Sequence, residues 1–280
     1  MKKLGLILVG GLILSIALIG CGIKTTNNKT DTSSINSYNN QSKQSGSMSQ
    51  NKEVTSNKTQ QSSEVKMDNS LKRKLNIFLS NFTEIGMQLF NKGKLSDAQE
   101  IDFAINHNYT NNSKLFISKS DNARIFSGTD ERFSGSSVAI SSQEIDKTIE
   151  KYFGVKVNKH RSITYGDLFS DVDNKTKSQL IYQYKDGYYF LPQYTGESLN
   201  FSQVQKLIDN GNNYFTVFFD NYSIYDTDNI DTNKDIYLPL ESWTKAEKVS
   251  MNKAKPVKMK AEVKKEADGR YILIEYLNAQ

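Results

Sequence analysis

Three strand-turn-strand patterns in the C-terminal third constrain this chain more than any other feature. Leu180 to Lys185, Asp186-Gly187 and Tyr188 to Leu191 make the first; Val204 to Asp209, Asn210-Gly211 and Tyr214 to Ser223 the second; Met259 to Ala267, Asp268-Gly269 and Tyr271 to Leu277 the third. Asp-Gly and Asn-Gly supply the positive φ that tight hairpin turns require, and the flanking residues alternate with period two. The last two patterns also resemble each other: Val204-Gln-Lys206 precedes its turn as Val263-Lys-Lys265 precedes the next. One hairpin repeated in this way implies a meandering antiparallel sheet. Residues 201 to 210 also read as a helix with Asn200 as cap and Gln203 at its third position, and the sequence leaves that alternative open.

Ahead of the hairpins the period is 3.6. Leu71, Leu75, Phe78, Leu79 and Phe82 line one face of a helix, with Lys72, Arg73, Lys74 and Asn76 turned to water and Gly86 closing it. Ser96 and Gln99 form a capping box for a second helix carrying Ile101, Ala104 and Ile105, running to about Tyr109. Ser141 and Glu144 open a third, with Ile145, Ile149, Tyr152 and Phe153 as its stripe and Gly154 as its left-handed stop. Between them, residues 110 to 140 offer only two short apolar islands, 115–117 and 125–126. Helices followed by strands predict an α+β domain in which N-terminal helices pack on one face of a meandering antiparallel sheet. Cystatin-like and NTF2-like folds are similar in outline.

The N-terminus constrains location. Lys2 and Lys3 precede an apolar run from Leu4 to Ile19, and the run closes on Leu18-Ile19-Gly20-Cys21, which holds the chain's one cysteine. These residues resemble the lipobox of bacterial lipoproteins. The resemblance implies a signal peptide over 1–20, a diacylglyceryl group on the Cys21 thiol, and a protein anchored by acyl chains on the outer face of the bacterial cytoplasmic membrane. Competing readings are an uncleaved membrane helix and an ordinary secretory signal. Residues 21–66 are Asn, Ser, Thr, Gln and Lys with scarcely an apolar side chain, which predicts a disordered polar tether. The globular domain is then 67–280. Within it, Leu75 to Phe82, Phe103 to Tyr109 and Ile149 to Gly154 are similar to segments of uncharacterised lipoproteins of low-GC Gram-positive bacteria, a resemblance that implies no activity.

A formal charge of +5 suggests a basic protein. The excess sits in the signal and tether, and from residue 67 onward basic and acidic residues balance. A neutral domain lacks the footprint of a sequence-independent nucleic-acid binder, so no nucleic-acid partner is expected. With Cys21 acylated no thiol remains for disulfides, thiolate metal sites or nucleophilic catalysis.

No motif selects a reaction centre. Asp231, Asn233 and Asp235 alternate as calcium-loop ligands do, but Ile236 stands where the loop needs glycine and Ser242 where it needs glutamate. Ser242-Trp-Thr-Lys245 and Ser120-Asp121-Asn122 match two motifs of penicillin-recognising enzymes in reversed order and without the third. His107 and His160 are the two histidines, too few for a multi-histidine metal site, and His107 is expected on a polar or half-buried helix face. There is no glycine-rich phosphate loop, and neither metal nor cofactor is expected. Eight lysines between Lys245 and Lys265 suggest a basic patch toward anionic wall polymer or lipid. Tyr182, Tyr184, Tyr188, Tyr189 and Tyr194 cluster on one hairpin, and aromatic strands can line a groove. Tyr182 and Tyr184, on one strand face by alternation, are the candidate ligand-binding pair. The expected function is a lipid-anchored, non-enzymatic module that binds a ligand, a cell-wall polymer or an envelope protein; the alternative is a cell-envelope hydrolase with a carboxylate-based site.

Overall fold

The computed structural model describes residues 62–133, 137–169, 172–193, 199–224, 235–244, 247–248 and 255–279. Cys21, the apolar run and nearly all of the expected tether lie outside them. All the described residues belong to one compact unit.

The long helices form where the sequence periodicity places them. α1 (Asn69–Thr83) is capped by Asp68, whose carboxylate accepts from the Leu71 N–H at 2.8 Å. It ends at Thr83 with Glu84 as C-cap, ahead of the expected stop, and Gly86, φ 64°, turns the chain two residues on, with the Met87 N–H returning to the Phe82 carbonyl. α2 (Asp97–Asn111) carries the Ser96/Gln99 capping box, and α3 (Ser142–Phe153) starts on Ser141 and stops on Gly154 at φ 68°. Two single turns follow, α4 (Tyr165–Leu168) and α5 (Asn174–Lys177).

The strands make two sheets, where the turn pattern implies one meander. In chain order they are β1 (Ser63–Glu64), β2 (Ile117–Ser118), β3 (Ser137–Ser141), β4 (Ile163–Thr164), β5 (Leu180–Lys185), β6 (Tyr188–Pro192), β7 (Leu199–Gly211), β8 (Tyr214–Ile224), β9 (Val257–Lys265) and β10 (Tyr271–Asn278). One antiparallel sheet has the order β1-β7-β8-β9-β10, the other β2-β3-β6-β5-β4. The first hairpin leaves the meander because β3 pairs along β6, Ala139 opposite Phe190. Serines flank the short apolar run of β3, which hides the strand from a periodicity argument. β1 pairs with Ile208 and Asp209 of β7, so ordered structure begins by Ser63, ahead of the boundary at 67.

Residues 201 to 210 are strand. The turn of the second hairpin is displaced from Asn210-Gly211: Asn212 and Asn213 take φ of 53° and 65°, and Gly211, φ 81°, sits in a β-bulge paired with Tyr214. Asparagine tolerates the left-handed region, so the run Asn210-Gly-Asn-Asn213 offers several turns, and the bulge selects among them. The first hairpin turns on Asp186-Gly187 with both φ positive, as expected.

The three long helices share one core with residues of both sheets. At its centre Phe82 has five aromatic neighbours, Phe103 closest at 4.9 Å between ring centroids. A second cluster stacks Phe201 between Tyr222 and Trp243 at the far end of the long hairpin. Asn76 departs from expectation: it is 1 % exposed and faces β7, not water. A second bulge, between Val204 and Lys206, interrupts the ladder there, and the Val204 N–H donates to Asn76 Oδ1 at 2.7 Å. One and two turns on, Ser80 accepts from the Ser202 N–H and Thr83 bonds Ser202 and Asn221. A polar seam thus fixes α1 on the sheet, because a buried N–H without an acceptor costs about 1–3 kcal/mol.

Candidate functional site

A cavity of about 200 Å³ opens between α1, the last turn of α3 and the start of β10. Lys74, Phe78 and Asn81 reach it from α1, spaced four and three apart and so on one helix face. Lys151 and Tyr152 come from α3, and Arg270 and Tyr271 from the entry to β10. Phe78 and Tyr271 lie 5.9 Å apart between centroids and make the floor with Tyr152.

The neutral polar groups of the wall satisfy one another. The Tyr152 hydroxyl donates to Asn81 Oδ1 at 3.2 Å, and Asn81 Nδ2 donates to the Ile77 carbonyl at 2.7 Å. Arg270 is also engaged: Nη1 donates to the Glu150 and Lys151 carbonyls at 2.7 and 3.0 Å, and Nε to Asp268 at 3.0 Å. It caps the last turn of α3, joining the Gly154 N–H at the Glu150 carbonyl and adding a donor to that of Lys151. Lys74 donates to the Gly269 carbonyl at 2.7 Å, its ammonium 5.2 Å from the Tyr271 ring centre. Lys151 rests its ammonium 4.8 Å from the Tyr152 ring centre. Neither lysine has a carboxylate partner among the described residues.

Behind Tyr152 lies the densest group of shifted titratable side chains. His107 is 4 % exposed, more buried than a polar helix face would leave it, stacked on Phe103 and edge-on to Tyr152 at 4.7 Å. Burial, seconded by the Lys151 charge, lowers its pKa to about 4, so the ring is neutral at pH 7. Asn111 Nδ2 lies 3.3 Å from His107 Nδ1 and donates to Glu84 Oε2 at 3.2 Å, while the Tyr237 hydroxyl donates to Glu84 Oε1 at 2.7 Å. Burial raises the Glu84 pKa, against the lowering effect of those two hydrogen bonds. Burial also raises Tyr152 and Tyr237, with the Glu84 charge adding to both. Desolvation lowers Lys151. Clusters of this kind mark functional sites more often than other surfaces do.

The candidate residues named from sequence fall elsewhere. Tyr182 is 5 % exposed and its hydroxyl donates to Asp102 Oδ1 on α2 at 2.7 Å. Tyr184 is half-buried, stacked on His160 at 5.5 Å. The pair shares a strand face as alternation requires, but that face looks into the protein, so it forms no open groove. Tyr194, Asp231, Asn233 and Lys245 lie outside the described residues. Asp235 pairs with Arg73 at 2.6 Å, and the described residues hold no cluster of three metal-ligating side chains. The basic patch is partly neutralised, with Lys258, Lys260 and Lys264 each paired to a carboxylate.

His160 does meet a carboxylate. Its Nε2 donates to Asp146 Oδ2 at 3.3 Å; Oδ1 is equally near but off the N–H direction. The Tyr189 hydroxyl lies 2.9 Å from Nδ1, within hydrogen-bond reach. Tyr189 is fully buried. Both nitrogens are therefore committed, and the described cavities do not include the ring. The cavity residues were legible only as helix and strand positions, although a basic residue followed by tyrosine recurs at Lys151-Tyr152 and Arg270-Tyr271. No protein-family profile, curated protein or solved structure matches the chain.

Proposed function

We propose that this chain is a lipid-anchored extracytoplasmic protein whose C-terminal domain is a non-enzymatic ligand-binding module of the cell envelope. The observation that carries the binding half is the cavity between α1, α3 and β10, built on regular elements and walled by aromatic rings and cations. The acid-base groups behind it, Glu84 and His107, are engaged with Asn111, and Glu84 also with Tyr237. The anchor rests on Leu18-Ile19-Gly20-Cys21. Cys21→Ser should move the protein from the membrane to the soluble fraction, since two acyl chains hold firmly where none remain in the variant. A Cys21→Ser protein that stays in the membrane at its original apparent mass points instead to an uncleaved helix.

Binding is tested with the full-length chain and a small-molecule fragment set, read by ligand-observed NMR. Ile77 also lines the cavity, and Ile77→Trp, which places an indole there, should abolish the signals of cavity binders while leaving the circular dichroism spectrum intact. Binding that survives the indole places the site elsewhere. An envelope hydrolase draws its support from the Asp146–His160 pair; turnover of wall material that His160→Gln abolishes would establish it in place of the binding reading.

A further inference from the structure

We infer that the cavity between α1, α3 and β10 takes a small organic anion with an apolar body, a single ring or short acyl chain ending in a carboxylate. The inference rests on the binding reading above and narrows it to a ligand class. Three observations carry it.

Size comes first. About 200 Å³ is below the roughly 300–1,000 Å³ of sites for drug-sized ligands, so one ring or a short chain fills it. The second is the state of the polar wall. Tyr152, Asn81 and Arg270 bond to one another's neighbourhood through Asn81 Oδ1, the Ile77 carbonyl, the end of α3 and Asp268. A polyhydroxylated sugar brings many donors and acceptors and would find few free partners here. Charge is the third and deciding term. Asp268 offsets Arg270, and Lys74 and Lys151 stand at the rim with no carboxylate partner among the described residues. An anion at the rim completes both lysines through charge-assisted hydrogen bonds, while its apolar part covers Phe78, Tyr152 and Tyr271. Lys151 gains most, because its ammonium lies over the Tyr152 ring and makes, among the described residues, no hydrogen bond that the anion must displace.

Neither of the other two described cavities is lined by a cation. In that of about 330 Å³ beside α4, Asp167 is matched by Arg161 at 2.9 Å, and in that of about 230 Å³ beside β2, Asp121 is bonded to Ser118.

Matched probes decide the matter: benzoate against benzyl alcohol and hexanoate against hexan-1-ol, titrated onto the full-length chain by ligand-observed NMR. Each carboxylate should bind at least about tenfold more tightly than its alcohol, the worth of one hydrogen bond to a charged group. Lys151→Met should weaken the carboxylates by about tenfold and leave the alcohols unchanged; Lys74→Met should act in the same direction. If carboxylate and alcohol bind alike and Lys151→Met alters neither, the anion inference is overturned while the cavity stands as a binding site. If no probe binds up to millimolar concentration, the cavity reading and the inference fall together.

Discussion

Phe82→Ala is expected to cost roughly 3–5 kcal/mol, the range for truncating a fully buried phenylalanine. The ring is 0 % exposed and touches aromatic side chains from α1, α2, α3 and β10. Those neighbours belong to different elements that are themselves held by seam, caps and ladders, so the site cannot collapse around the missing ring. For a domain of this size about 1 kcal/mol corresponds to roughly 2–4 °C, so thermal unfolding should fall by on the order of 10 °C. A loss below about 1 kcal/mol in urea unfolding would mean that Phe82 is not the centre of the core.

Glu100→Gln is expected to stabilise the protein, and increasingly so as pH rises. Glu100 lies in the first turn of α2 yet is only 7 % exposed, and burial, seconded by Asp97, raises its pKa to about 7. The helix dipole favours a carboxylate there by about 0.3–1 kcal/mol, less than the cost of desolvation. The folded state therefore holds a proton that the unfolded chain releases near 4.5, and stability falls as pH rises from there through about 7. At pH 8 the full cost applies, roughly 3 kcal/mol, and glutamine removes it. His107 acts oppositely. Its folded pKa lies below the unfolded value, so its contribution rises with pH between about 4 and 6.5. Across 4.5 to 6.5 the two slopes oppose each other in the native protein, and Glu100→Gln should expose the rising limb of His107. Urea unfolding of both proteins at pH 5 and pH 8 measures this; a stability difference that does not change with pH would refute the assignment to Glu100.

The α+β class and the three long helices were legible because their signals are local. Ser96/Gln99, Ser141 and Gly154 fix helix ends whatever packs above them, and Asp186-Gly187 fixes a turn within four residues. What was not legible depends on partners distant in the chain. Asn76 reads as a solvent-facing helix residue until a bulge at Val204 offers it an N–H. Tyr182 reads as a surface aromatic until Asp102 is found above it. The division into two sheets is decided by β3 pairing with β6, which no turn dipeptide encodes. The cavity is assembled from residues near 74, 151 and 270, and the same distance along the chain concealed it.

The polar seam on α1 also sets an order of events during folding. Asn76 waits for Gln203 and Val204, 127 and 128 residues later, and Ser80 for Ser202, 122 residues later. β1 waits for the same strand. α1 and β1 cannot dock on the sheet until β7 has been delivered, and closing so long a loop precedes any reward from the contacts it makes. A chain threaded through a membrane pore N-terminus first would emerge with its leading helix still undocked. Its completion belongs to strands that arrive late, so a chain truncated before residue 200 leaves the seam of α1 unmatched and its apolar stripe covered by α2 and α3 alone, an exposed surface of the kind that makes partly folded chains prone to aggregate.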